Sequence, residues 1–212
     1  MVKKKRPVIE FDDEKHKYYV DGNEVPSVTT ILGYVTADHY GQINEAVLRQ
    51  AAQRGSDVHE ACQMIDYGCE AEVDPVTAPY VEAYCQFLTD YRPKWDEIEQ
   101  KHYSERGFCG TVDRMGTLNY KKCVLDIKTT GSPTKVQYLV YAAQLIAYSM
   151  FYDGSAGFKR YILFLKKDGK YRLVDADEYA EKHGMMPFFV WNKCLDLYQT
   201  IAESLGKILP TE

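Results

Sequence analysis

The chain has 212 residues, with 31 acidic against 26 basic side chains and a formal net charge of −5 at pH 7. At 45% hydrophobic and 27% charged it has the composition of a packed domain, which excludes an intrinsically disordered chain. No run approaches the roughly 18 consecutive apolar residues of a transmembrane helix, so no membrane association is expected.

The N-terminus is a basic run from Lys3 to Arg6, followed by Pro7 rather than by the apolar stretch of a secretory signal. From Ile9 to Val20 the residues read as a strand, and Asp21-Gly22-Asn23 is turn chemistry, so 8–26 is expected to form a hairpin. Ser27 then caps a short helix carrying Ile31 and Leu32. Ala46, Val47, Leu48, Ala51 and Ala52 recur at helical spacing toward Gly55, after which the helix resumes with Val58, Ala61, Cys62 and Ile65. A third helix follows Pro79 and is stopped by Pro93.

Beyond residue 97 the period shortens to that of strands, over 98–105, 107–115 and 123–129, with a turn at 116–119 between the last two. Ser132 and Pro133 suit an N-cap and the first position of a helix that runs to about Tyr152. A hairpin over 158–165 and 171–174 follows, and a final helical region from 177 to 206 is broken near 184–187. No repeat or linker divides the chain, so residues 1–212 read as a single α/β domain. The six cysteines (Cys62, Cys69, Cys85, Cys109, Cys123, Cys194) include no C-x-x-C pair. That spacing predicts free thiols in a reducing cytoplasm and argues against a zinc ribbon or an iron–sulfur cluster.

Chemistry concentrates at Asp126-Ile127-Lys128. Residues two apart in a strand share a face, so the carboxylate and the ammonium are held side by side. The chain contains four acid-x-Lys pairs, and chance alone gives roughly two or three, so the pattern needs context. Asp13/Lys15 and Asp168/Lys170 fall in turn-like sequence, and Glu99/Lys101 lies where nothing else converges. Only Asp126/Lys128 follows an apolar run, Val124-Leu125, and faces a second acid, Asp113, in the preceding strand. Two carboxylates with a backbone carbonyl and water make a hard oxygen site suited to Mg2+ or Mn2+, and a lysine beside it suits phosphodiester hydrolysis. Glu105 is a further candidate, acting through water or on a second ion. Arg114, Thr129, Thr130 and Lys135 surround the site as candidate phosphate contacts.

Four blocks carry a resemblance to a known family, the PD-(D/E)XK nucleases, in the branch of RecB-like and phage-type exonucleases and the mitochondrial genome-maintenance exonuclease. Gly55-Ser-Asp-Val-His59 resembles the family's Gly-x-x-x-His helix. Gly110-Thr-Val-Asp113 and Leu125-Asp126-Ile127-Lys128 resemble its second and third motifs, and Gln144-Leu-Ile-Ala-Tyr148 its Gln-x-x-x-Tyr helix. Tyr18 to Leu32 also resembles the N-terminal segment of the genome-maintenance group. The family's proline is replaced by Val112, and the cysteine cluster of some relatives is absent because Cys194 stands alone.

The resemblance implies a restriction-endonuclease-like core over about 55–175, a central mixed β-sheet flanked by helices, preceded by an N-terminal hairpin and helical segment. It implies a metal-dependent DNA exonuclease serving phage recombination, repair or genome maintenance, with a recombination or single-strand-binding protein as a partner. His59, Asp113, Asp126 and the backbone carbonyl of Ile127 would hold Mg2+ or Mn2+, without an iron–sulfur cluster. Lys128 would be the catalytic lysine, with Gln144 and Tyr148 supporting it. The residues alone leave open an endonuclease on the same core, a nuclease acting on RNA, or a non-catalytic nucleic-acid-binding module. A nucleic-acid binder is usually basic and this chain is not, so binding without metal is expected to be weak and salt-sensitive.

Overall fold

The computed structural model describes residues 7–40 and 44–206, so the basic run at 3–6 lies outside the described residues. Turn chemistry divides the N-terminal segment more finely than its sequence suggests. The Asp12 carboxylate accepts the Lys15 N–H at 3.0 Å, and His16 takes a left-handed φ of 51°. The expected hairpin is therefore a three-stranded antiparallel sheet, β1 (Ile9–Asp12), β2 (Lys17–Val20) and β3 (Asn23–Val25). Ser27 caps α1 (Val28–Tyr40) by accepting the Thr30 N–H at 2.9 Å.

Asn44 caps the next helix, α2 (Glu45–Asp66), which runs unbroken through Gly55 rather than pausing there. It is followed by α3 (Ala78–Tyr91), closed by Arg92 in a left-handed conformation before Pro93. The main sheet then begins with β4 (Lys94–Ser104), β5 (Phe108–Leu118) and β6 (Lys121–Lys128), longer strands than the sequence pattern indicates. The turn joining β5 to β6 is the pair Asn119-Tyr120, both at positive φ, not 116–119. Gly116 lies inside β5 instead, where a Cβ would stand 2.1 Å from the Lys94 carbonyl oxygen.

The helix α4 (Lys135–Ser149) crosses from β6 to β7 (Lys159–Leu165), which lies parallel to β6, and β8 (Tyr171–Asp175) returns antiparallel. Its N-cap is Thr134, two residues after the expected Ser132. Thr134 and Gln137 form a reciprocal capping box, a preference worth about 1 kcal/mol that places Pro133 outside the helix. A break at Gly184 separates α5 (Ala176–Lys182) from α6 (Pro187–Ser204), as the sequence suggests. The result is an α/β fold with a mixed five-stranded sheet in the order β4-β5-β6-β7-β8. Among the described residues no helix is long and apolar enough to cross a membrane, and all six cysteines are free.

Both faces of the sheet are covered. One packs on α2 and α3 through Cys123, Leu125, Ile127, Leu163 and Leu165 with Val58, Tyr84 and Phe87. The other packs on α1, α4 and α6 through Val112, Val124, Ile162 and Phe164 with Ile31, Leu145 and Trp191. Strand β6 thus alternates, and its polar members Asp126 and Lys128 fall on the face toward α4. Tyr120 at the β5–β6 turn is fully exposed with φ 63°. A side chain in that conformation costs about 1–2 kcal/mol, more than the entropy a glycine would lose. Tyr120→Gly should therefore raise the melting temperature by about 2 °C, and a fall on thermal denaturation would count against a left-handed residue there.

Candidate active site

Strands β5 and β6 pair from Leu118–Lys121 up to Arg114–Leu125, and there the ladder ends. At that point the Asp113 carboxylate takes the place of a backbone acceptor: its Oδ2 accepts the Ile127 N–H at 2.7 Å. The two strands part beyond it. Beyond it the same edge of β5 is taken by the N-terminal segment, with the Cys109 N–H donating to the Pro26 carbonyl at 2.9 Å. The opening holds a cavity of about 300 Å³ lined on one side by His59, Asp113, Asp126, Lys128, Gln144 and Tyr148. Phe11, His16, Tyr18 and Ser27 line its other side. Sequence motifs spread over ninety residues thus meet in one place.

His59 projects from the middle of α2. Its Nδ1 lies 3.1 Å from Glu99 Oε1 and 3.7 Å from Asp113 Oδ2, and its Nε2 lies 3.1 Å from the Ile127 carbonyl oxygen. Every neighbour of the ring is an acceptor. Burial alone would depress the imidazole, but the Asp113 and Glu99 carboxylates outweigh it and push it up to about 9. Burial, with the Asp126 and Glu99 charges beside it, likewise pushes Asp113 up to about 7 against the pull of His59. In the metal-free protein the histidinium therefore supplies the positive charge that holds these oxygens together.

Those same atoms fit a divalent cation. His59, Glu99 and Asp113 each offer one ligand atom, all within 4.8 Å of one another, and the Ile127 carbonyl adjoins them. Asp126 is 1% exposed, and its Oδ2, although 2.8 Å from the Lys128 ammonium, accepts no hydrogen bond of acceptable geometry. A buried carboxylate oxygen whose one polar neighbour is an ammonium keeps lone-pair capacity for a cation. The mixed set of carboxylates, a carbonyl and an imidazole suits Mg2+ and, with the imidazole, Mn2+.

The Lys128 ammonium donates to Asp126 Oδ1 at 2.9 Å and to Gln144 Oε1 at 3.4 Å, and it stands 4.9 Å from the centre of the Tyr141 ring. Burial works against its charge, but Asp126 and Asp113 hold its pKa above the ordinary lysine value, so it is a donor and not a base. Gln144 in turn donates to the Tyr148 hydroxyl at 2.7 Å. Gly110 makes room for that tyrosine, since a Cβ there would lie 2.8 Å from the Tyr148 ring.

Other expected residues are placed differently. Glu105 lies exposed on the turn between β4 and β5, roughly 17 Å along the strand from Asp113 and outside ligand reach. Arg114 is fully buried and does not reach a phosphate in solvent. Its Nε donates to Asp66 Oδ2 at 2.6 Å, and its Nη1 donates to Glu99 Oε1 at 2.9 Å and to the Asp113 carbonyl at 2.6 Å. The Tyr84 hydroxyl completes this group by donating to Asp66 at 2.7 Å. Thr129 and Thr130 lie half-buried just after β6, and Lys135 is exposed at the start of α4.

The residue that sequence reasoning passed over is Glu99. The cross-strand pairs Ile98–Arg114 and Gln100–Val112 put it directly opposite Asp113, with a left-handed φ of 47°. Counting outward from the three-residue turn Glu105-Arg106-Gly107 pairs position 99 with 113, a register the sequence does carry. Compared with protein-family models and with curated proteins, the chain matches none.

Two predictions follow from these charges. The His59 and Asp113 shifts both raise a folded-state pKa above its ordinary value. The stability they bring is complete at low pH and is lost as pH climbs through about 7 and about 9. The melting temperature of the metal-free protein should therefore fall between pH 6 and pH 9.5. Mn2+ should oppose the fall by replacing the proton, and His59→Gln should flatten it. A slope unchanged in that variant would refute the assignment. Separately, Arg114→Leu leaves Asp66 and Glu99 buried without their cation and should cost about 3–5 kcal/mol of stability in chemical denaturation. A cost below about 1 kcal/mol would mean the arginine is not the anchor described.

Proposed function

We propose that this chain is a metal-dependent deoxyribonuclease of the PD-(D/E)XK kind, most simply an exonuclease. The observation that carries this reading is the convergence of His59, Asp113, Asp126 and Lys128 on one cavity, at the point where β5 and β6 part. The element order supports a restriction-endonuclease-like core. An antiparallel β4-β5-β6 meander leads through α4 into the parallel strand β7, and the paired carboxylates and lysine lie on the central strands.

In this reading His59, Asp113, Asp126 and the Ile127 carbonyl, with Glu99 beside them, would hold Mg2+ or Mn2+. The cation, when bound, would neutralise charge on the scissile phosphate and lower the pKa of an attacking water. Lys128 remains protonated and donates to the water or to a phosphate oxygen, where negative charge grows as the phosphorus–oxygen bond breaks. Asp126 and Gln144 fix the ammonium from two sides, and Tyr148 fixes Gln144. The ground state therefore already has the donor aimed, which is how an electrostatic catalyst avoids reorganisation during the reaction. The Gly55-containing turn of α2 presents His59 and borders Thr129, which lies 4.0 Å from the position of a Gly55 Cβ.

The decisive assay uses linear duplex, single-stranded and closed circular DNA, end-labelled where ends exist, with Mn2+, Mg2+ or EDTA and with Asp126→Asn alongside. Metal-dependent loss of linear DNA alone supports an exonuclease, and loss of circles as well supports an endonuclease. DNA bound but uncut under every condition would move the assignment to a nucleic-acid-binding module. Lys128→Ala should retain DNA binding and fold while lowering turnover by ~10²-fold or more. Turnover equal to that of the unaltered protein would end the assignment of the lysine.

A further inference from the structure

The cations of the α4 face share an unusual support. Lys128, Phe164 and Arg172 form one cross-strand row over β6, β7 and β8. Above them α4 contributes Tyr138 and Tyr141. The Lys128 ammonium lies 4.9 Å from the Tyr141 ring centre, and the Tyr141 ring lies 6.3 Å from that of Phe164. Phe164 meets Tyr138 edge-on at 5.5 Å. The Arg172 guanidinium stands 4.8 Å over Phe164 and 5.6 Å from Tyr138, and it donates to the Tyr138 hydroxyl. An uninterrupted strip of rings therefore links the two cations.

Arg172 is held by rings rather than by acids. Arg114 and Arg160 are engaged by carboxylates, whereas among the described residues no carboxylate lies within ion-pair distance of Arg172. It is also exposed, while the rings that support it are buried, Phe164 at 0% and Tyr138 at 5% exposure. A guanidinium held by ring faces and one hydroxyl keeps its remaining N–H donors directed outward, with little rotamer entropy left to lose on binding an anion. Strand spacing puts it about 10 Å from Lys128, two strands across the sheet.

We propose that Arg172 binds a backbone phosphate of the nucleic-acid strand, near the one positioned at Lys128, so that the row Lys128–Phe164–Arg172 tracks the strand across the sheet. The assignment rests on the nuclease reading and deepens it by giving the substrate a direction. Arg172 touches no reacting atom and is a positioning residue, with Tyr138 as its support.

The test combines fluorescence anisotropy of a labelled single-stranded oligonucleotide, in EDTA over a range of salt, with steady-state digestion in Mn2+. Arg172→Gln should raise KM about tenfold with kcat within twofold. It should also reduce the slope of log K against log salt by about 0.7, the contribution of one phosphate contact on a single strand. Arg172→Lys should restore the slope but only part of the affinity, because a point charge replaces a planar fork. A thermal melt of each variant separates loss of fold from loss of contact, and Arg172→Lys keeps the test valid if the glutamine variant is unstable. Unchanged KM and salt slope in a folded Arg172→Gln protein, with the unaltered protein binding and cutting, would overturn this assignment alone. An unaltered protein that neither binds nor cuts would overturn the nuclease reading and this assignment with it.

Discussion

The hydrogen bond from the Ile127 N–H to the Asp113 carboxylate is the constraint on which the site depends. A backbone N–H on a central strand must find an acceptor, and here it finds a side chain in place of the neighbouring strand. That substitution lets β5 and β6 separate without leaving the N–H unpaired. The separation opens the cavity, and the same bond fixes the carboxylate at its floor. One interaction thus ends a ladder, aims a carboxylate into the cavity and places the Ile127 carbonyl against His59.

Around that point the charges are layered by burial. On the side of the sheet toward α2 and α3, the Arg114 guanidinium is enclosed by Asp66, Glu99 and the Asp113 carbonyl. On the opposite side, Lys128 lies between Asp126 and Gln144. Three acids, Glu99, Asp113 and Asp126, are flanked by two permanent cations and by His59, whose charge can be exchanged. Arg114 and Lys128 keep their charge throughout, while the histidine, pushed up to about 9, is the member that yields. The charge around the cavity is thus set by these few groups and not by the net charge of the chain.

Much of this was legible in the sequence. His59, Asp113, Asp126, Lys128, Gln144 and Tyr148 meet in one cavity, because period-two alternation in β6 and one helical turn from Gln144 to Tyr148 dictate shared faces. What sequence reasoning lost, it lost at irregular backbone and at buried charge. Glu99 adopts a left-handed conformation within a strand, which no propensity favours. Arg114 reads as a surface cation, yet both faces of the sheet are covered, and a break in the alternation of β5 at Asp113 turns it toward α2 while Val112 packs toward α4. Thr134 displaced Ser132 as the cap of α4 because only Thr134 has a glutamine three residues on to complete the capping box.

The N-terminal sheet lines the same cavity from a distant part of the chain, joined to β5 by the Tyr18–Thr111 hydroxyl pair at a separation of 93 positions and by the Pro26–Cys109 backbone bond. Such contacts have high contact order, and their loop-closure entropy must be met before they stabilise anything. On a ribosome the first strands emerge well before β5, the strand whose edge they need, and the helix linking the parallel pair β6 and β7 follows later still. The cavity can close only after most of the domain has been synthesised, so nascent fragments of the chain fold past the stage of local structure without yet possessing it.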